Sequence, residues 1–292
     1  MTEPTEPTEP TTGPQPTAPT GPPAPGAPYV TSLGVSTPTT ISLLGQDLAA
    51  DLMGSVGFGE LAYWLITQRR PSAGEARIFE AVLVALADHG FTPTAIAARL
   101  TLLSAPDSLQ GAVAAGLLGG GSRFLGVTED CGQFLAEALE RHTDLVPTAP
   151  DDDAGWDALA RVAVNEAREQ RRLVPGLGHP VHKVEDPRTP RLIALAEEAG
   201  TRGRHLRLFE AVGRVHPEIL GRQLPLNGAG VCGAALADID IPLGMLRGVA
   251  LLARTAGLLG HLAEEQRRGI GMDVYLSVDR NAHYEPPSDQ AR

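Results

Sequence analysis

Apolar residues recur at helical spacing through almost the whole chain, which points the core away from sheet packing. From Ser72, with Glu75 three residues on as a capping box, Ile78, Phe79, Val82, Leu83 and Leu86 form one stripe until His89-Gly90 closes the helix. The same period predicts helices over 94–103, 109–118, 132–139, 154–172, 192–199, 205–215, 228–238 and 243–268, separated by Gly, Pro or Asp clusters. An earlier one carries Leu61, Ala62, Leu65 and Ile66 and is interrupted by Pro71. No convincing alternating run is present, although Ile41–Gly45 allows a short strand or a lead-in segment, and Val274–Val278 falls in a tail. The expected fold class is all-α, with ten or more helices.

Composition limits partners. A net charge of −11 and a pI near 5.2 argue against a general nucleic-acid or anionic-membrane binder. Cys131 and Cys232 are far apart and read as reduced thiols. The N-terminus shows no basic segment followed by an apolar one, and the most apolar helix is interrupted by Arg247, Arg254 and His261, so a cytoplasmic protein with no membrane span is expected. Residues 1–38 repeat Glu-Pro-Thr and are expected to be a disordered tail.

Chemistry concentrates between Val174 and Arg191. Glycine and proline punctuate a rigid loop that holds His179, His182, Lys183, Glu185, Asp186, Arg188 and Arg191. Lys183 is the only lysine in a chain with 24 lysines and arginines together, a compact point charge among guanidinium forks. His179 and His182 could share a metal with Glu185 or Asp186, but Pro180 between them disfavours a helical pair and no Cys/His cluster completes the site, so none is expected. The glycines of Leu117–Ser122 follow a helix and lack a Gly-Lys-Ser/Thr ending, which favours a helix-helix turn over a phosphate loop. Arg188, on a rigid Asp-Pro-Arg turn, and Arg254, amid leucines, each want a buried anion. A structural ion pair and a ligand carboxylate serve equally well. His261 reads as a satisfied core group, and His205 and His216 as surface residues.

The segments Gly178-His179-Pro180-Val181-His182-Lys183 and Asp186-Pro187-Arg188 resemble the Gly-His-x-Val-x-Lys…Asp-Pro-Arg signature of the citrate synthase family. Ala87-Asp88-His89-Gly90 and Ala253-Arg254-Thr255…Gly260-His261 resemble two further elements of that family, in the expected order. The details are most similar to the short bacterial citryl-CoA lyases and to the citrate-synthase-like module of ATP-citrate lyase. The resemblance implies an all-α homodimer, with a large helical domain over 39–173 and 244–292, a smaller mobile helical domain over 174–243, and a cleft between them. It implies a coenzyme A thioester and a di- or tricarboxylate as substrates and no tightly bound cofactor. His89, Arg188, Arg254 and Asn227 would bind the carboxylate substrate, His179 would hydrogen-bond the oxygen at the reacting carbon, and Lys183 and Arg191 would meet the CoA phosphates.

Two family positions are altered. The histidine that donates to the thioester oxygen in citrate synthases corresponds to Ser122, which keeps a hydroxyl donor, and the aspartate that moves the methyl proton corresponds to Ala229, which can neither accept nor deliver a proton. Gly269–Asp273 stands where a further substrate-binding arginine is usual. The expected activity is cleavage of citryl-CoA or a related 3-hydroxyacyl-CoA to acetyl-CoA and oxaloacetate, with His182, Asp186 or a water moving the proton. Condensation by a citrate synthase, or CoA-ester binding without turnover, are the alternatives.

Overall fold

A computed structural model describes Gly26 and residues 28–285, so most of the expected tail lies outside the described residues. Order begins earlier than residue 39. Gly34–Ser36 (β1), Ile41–Leu43 (β2) and Gln46–Asp47 (β3) form an antiparallel sheet in the order β1-β2-β3, with Val35 opposite Ser42 and Ser42 opposite Asp47. Leu44 and Gly45 both have positive φ, the geometry of a two-residue hairpin turn. Strands this short contain too few residues to show alternation, which is why β1 reads as tail in the sequence. A π-helical turn over Leu48–Leu52 leads into the helices.

The first five helices are α1 (Phe58–Thr67), α2 (Ala73–Ala87), α3 (Pro93–Ser104), α4 (Leu109–Leu125) and α5 (Val127–Arg141). Six more follow: α6 (Asp153–Glu169), α7 (Arg188–Glu198), α8 (Arg204–Leu220), α9 (Gly228–Asp238), α10 (Leu246–Arg267) and α11 (Gly271–Asn281). The chain is all-α apart from the small sheet. The capping box at Ser72 and Glu75 forms as expected, each side chain bonding the other's backbone N–H. Two elements differ from expectation. The turn at Gly119–Ser122 contracts to one non-helical residue, Gly121, inside α4, and Val274–Val278 lies in α11.

One large core runs from Tyr63, Phe79 and Val82 through Leu135 and Trp156 to Phe209, Val212 and Leu236. It crosses the boundary expected at residue 174 without a break, with α8 against α6 and α9 against α5. A smaller cluster of Ala98, Leu102, Ala112, Leu258 and Leu262 joins α3, α4 and α10. Helix α10 is long and apolar enough by composition to cross a bilayer. Its residues Val249, Ala253, Leu258 and Leu262 are buried in these clusters. His216 is no surface residue: it is 0% exposed, donates from Nδ1 to the Val212 carbonyl, and accepts the Leu224 N–H at Nε2. His205 is half-buried against Asp238, 2.9 Å away.

Candidate active site

The loop after α6 is pinned from below. Gly178 N–H donates to the Pro225 carbonyl (2.8 Å), Asn227 N–H donates to the Gly176 carbonyl (2.8 Å), and Leu177 bridges to Leu226. Gly176 adopts φ +85°, and a Cβ there would sit 2.6 Å from the Phe209 ring and 3.0 Å from the Cys131 sulfur. Only glycine suits both the backbone and the space. The loop therefore enters the site along one fixed path, with His179 at its tip.

The fixed path sets the chemistry of His179. Its Nδ1 accepts the backbone N–H groups of Val181 (3.1 Å) and His182 (2.9 Å), so the neutral ring carries its proton on Nε2. Burial pulls its pKa below the ordinary histidine value; His182, His89 and Arg188 add to this, against a lift from Asp186. The result is a neutral imidazole that donates. His89 stacks on His179 with 5.2 Å between ring centroids, and His182 lies 4.4 Å from it. One ring nitrogen from each of the three lies within 4.8 Å of the others. A metal would need an unprotonated Nε2 on His179, and the two backbone donors at Nδ1 oppose that tautomer.

Arg188 begins α7 and folds back on Asp186. Nε donates to Oδ1 (3.0 Å), Nη2 to Oδ2 (2.7 Å), and Nη1 reaches the Ala85 carbonyl (3.3 Å). Of five guanidinium N–H groups, one on each terminal nitrogen stays uncommitted. Asp186 is 0% exposed and also accepts the Gly228 N–H at 2.7 Å. Burial acts to raise its pKa, but Arg188 and the Gly228 N–H outweigh that and hold it well below the usual carboxylate range. With both oxygens committed to Arg188 and Gly228, Asp186 is poorly placed to accept a proton, against one sequence expectation. A Cβ on Gly228 would lie 2.2 Å from Arg188 Nε, so the guanidinium lies directly over the start of α9.

Arg254 is placed differently. It is 9% exposed in mid-α10; Nη1 lies 4.0 Å from Asp88 Oδ1, and its buried Nε has no partner. Burial lowers its pKa, with Asp88 acting against that and Arg188 with it. Arg188, Arg254, His89, His179, Ser122, Asn227 and Ala229 all line one cleft of about 800 Å³.

The remaining expected residues fall less simply. Asn227 lines the cleft, but its amide caps α9 at Gly230 N–H (2.8 Å) and holds the Gly178 carbonyl (2.8 Å). Its role is to join loop and helix, because asparagine at an N-cap satisfies an otherwise open helix donor. Arg191 lies outside the lining and pairs with Glu198 at 3.4 Å, while the Lys183 ammonium donates to the His179 carbonyl at 3.0 Å. In their place the cleft is lined by Arg123 and Arg172, which have no ion-pair partner among the described residues. Adjacency gave the missed signal: Arg123 follows Ser122, and Arg172 stands three before Pro175. Burial pushes both cysteine thiols up, Cys232 to about 12, and leaves them protonated.

Residues 44–271 match the family described as Citrate synthase, C-terminal domain. The chain belongs to the citrate synthase family. Citryl-CoA lyase from Hydrogenobacter thermophilus superposes with a TM-score of 0.76 at 29% identity, over 89% of this chain and 96% of that one. An ATP citrate lyase of Methanosaeta concilii, solved with (3S)-citryl-CoA, superposes at 0.70 and 23% identity over 90% of this chain and 42% of that one, which shows the shared fold. Citrate synthase of Deinococcus radiodurans is 25% identical over 82% of this chain and 61% of its own length. The chain spans only part of its curated relatives, 22% in the case of the probable ATP-citrate synthase of Caenorhabditis elegans. This family member is an all-α protein with a citrate-synthase-like fold.

Proposed function

We propose that the cleft binds citryl-CoA, or a related 3-hydroxyacyl-CoA, and breaks the carbon-carbon bond beside the thioester to give acetyl-CoA and oxaloacetate. The observation that carries the reading is Arg254. A buried guanidinium with an unpartnered Nε is costly unless an anion completes it, and it shares its cleft with Arg188, His89 and a neutral His179. A substrate carboxylate supplies that anion. The Hydrogenobacter lyase, matched along nearly its full length, supports the lyase direction.

In this reading Arg254 and the uncommitted N–H groups of Arg188 clamp carboxylates, and His89 holds the oxaloacetate portion. The hydroxyl proton passes to His182, whose ring centroid lies 4.4 Å from that of His179. The electron pair of the broken O–H bond becomes the ketone C=O of oxaloacetate, and the pair of the carbon-carbon bond moves to the thioester as an enolate. His179 Nε2–H donates to the developing oxyanion at the reacting carbon, Ser122 donates to the enolate oxygen, and the proton returns to carbon to give acetyl-CoA. Arg123 and Arg172 take the CoA phosphates, with Lys183 and Arg191 assigned no contact. Residues 174–243 move as the small domain that closes the cleft, in a homodimer.

Ala229 favours a second reading, CoA-ester binding without turnover. Incubation with citryl-CoA separates the two: release of acetyl-CoA that disappears in Arg254→Met supports the lyase, and tight binding without release supports the second.

A further inference from the structure

Behind the cleft lies a polar chain, buried at Arg99, Glu265 and His261 and half-exposed at Asp88, that the cleavage reading does not use. Helix α10 turns one face to the end of α2: Arg254, Gly257 and His261 lie three and four residues apart. A Cβ on Gly257 would stand 2.0 Å from the Ala87 carbonyl oxygen, so the helix meets the Ala87-Asp88-His89 turn at backbone contact. Asp88 is the link. Its Oδ1 accepts from His261 Nε2 at 2.9 Å and lies 4.0 Å from Arg254 Nη1, and its Oδ2 accepts the Gly90 N–H at 3.0 Å.

His261 is itself fixed from the other side. Its Nδ1 faces Arg99 Nε at 3.2 Å and Nη2 at 2.9 Å. An arginine has only donors, so His261 Nδ1 must accept and Nε2 must carry the proton toward Asp88. Arg99 is 1% exposed, donates to Glu265 at 2.8 Å and pairs with Glu264. Glu265 in turn accepts the Ile270 and Gly271 N–H groups at 3.1 and 2.7 Å. The Phe91 ring packs beside both, 5.7 Å from the His261 ring and 5.1 Å from the Arg99 guanidinium. From Asp88 through His261 and Arg99 to Glu265, each group faces a partner of opposite hydrogen-bonding sense.

We infer that His261 is a positioning residue for the carboxylate clamp: oriented by Arg99, it holds Asp88, and Asp88 sets Arg254 on one side and the adjoining His89 on the other. Burial acts to raise the Asp88 pKa, but the Gly90, His261 and His89 N–H groups hold it low, so Asp88 presents a charged carboxylate to Arg254. That carboxylate is too distant to satisfy the guanidinium and near enough to aim it. A substrate carboxylate then completes the pairing. The inference rests on the assignment of Arg254 as a substrate ligand.

Four full-length proteins test it: the parent, Arg254→Met, His261→Leu and His261→Gln. The leucine removes both hydrogen bonds, and the glutamine keeps an N–H donor for Asp88. With oxaloacetate as the titrant in calorimetry and citryl-CoA in turnover, His261→Leu is expected to weaken Kd and raise KM by about tenfold with a smaller effect on kcat, and His261→Gln to recover most of the loss. Unchanged Kd and KM in His261→Leu, or equal loss in both His261 variants with parent-like unfolding curves, overturns the inference. If the parent itself binds no oxaloacetate and turns over no citryl-CoA, the assignment of the cleft fails separately. The nitrogen chemical shifts of His261 then decide the positioning role: an unprotonated Nδ1, together with a shift of the His89 ring signals in His261→Leu, supports it. A protonated Nδ1 or unmoved His89 signals sink it.

Discussion

Replacing Asp186 with asparagine keeps the size of a fully buried side chain and removes its charge. Asp186 Oδ1 accepts from Arg188 Nε (3.0 Å) and Arg188 N–H (3.2 Å), and Oδ2 accepts from Arg188 Nη2 (2.7 Å) and Gly228 N–H (2.7 Å). Whichever way the amide is turned, its NH2 faces two donors, and Arg188 loses at least one charge-assisted bond. Breaking one side of a buried pair costs about 3–5 kcal/mol. With a urea slope of about 3 kcal/mol/M, the midpoint should fall by ~1–1.7 M at pH 7. The pH dependence has a definite sign. Because the folded pKa is depressed, the carboxylate's stabilisation is complete above the unfolded value of about 3.9 and is lost as pH falls toward the folded one. The gap between parent and variant should therefore narrow in acid. Urea curves followed by circular dichroism at pH 7 and in acid provide the assay. A pH 7 midpoint within ~0.2 M of the parent would refute the claim that the Asp186–Arg188 pair organises this wall of the cleft.

Arg254→Met removes an incompletely paired buried charge, so stability should hold or rise by about 1 kcal/mol while oxaloacetate affinity drops by about 100-fold, as read by urea curves and calorimetry. A parallel loss of stability would mean that Arg254 is a structural ion pair. Gly176→Ala combines φ +85° with the Phe209 contact and should cost about 2–4 kcal/mol; Gly178→Ala, at φ +83° with its nearest atom 3.9 Å away, should cost about 1 kcal/mol in the same unfolding experiment. Since burial depresses the His179 pKa, the titration of its own ring, followed by NMR, should lie below pH ~6.5. In His182→Gln the His179 titration should move to higher pH, because His182 is one of the groups that depress it.

The helices were legible because their signal is local: Ser72 with Glu75 caps α2, and one apolar stripe continues from there. The small sheet was not, since β1 is defined by its partner residues, Gly34 with Leu43. The loop residues His179 and Arg188 could be singled out by composition, but their states could not. The proton of His179 is placed by two backbone N–H groups, and Asp186 is held charged by Arg188 together with the Gly228 N–H, 42 residues away. Asn227 illustrates the limit, because its identity suggests a ligand and its neighbours use it as a helix cap. Arg99 and His261, 162 residues apart in sequence, meet only in the folded chain.

The most direct measurement is the appearance of acetyl-CoA and oxaloacetate when purified protein is incubated with citryl-CoA, with Arg254→Met alongside. The account predicts both products in equal amount from the parent and their loss in the folded variant. Citryl-CoA left intact by the parent, or cleaved as fast by Arg254→Met, would contradict it.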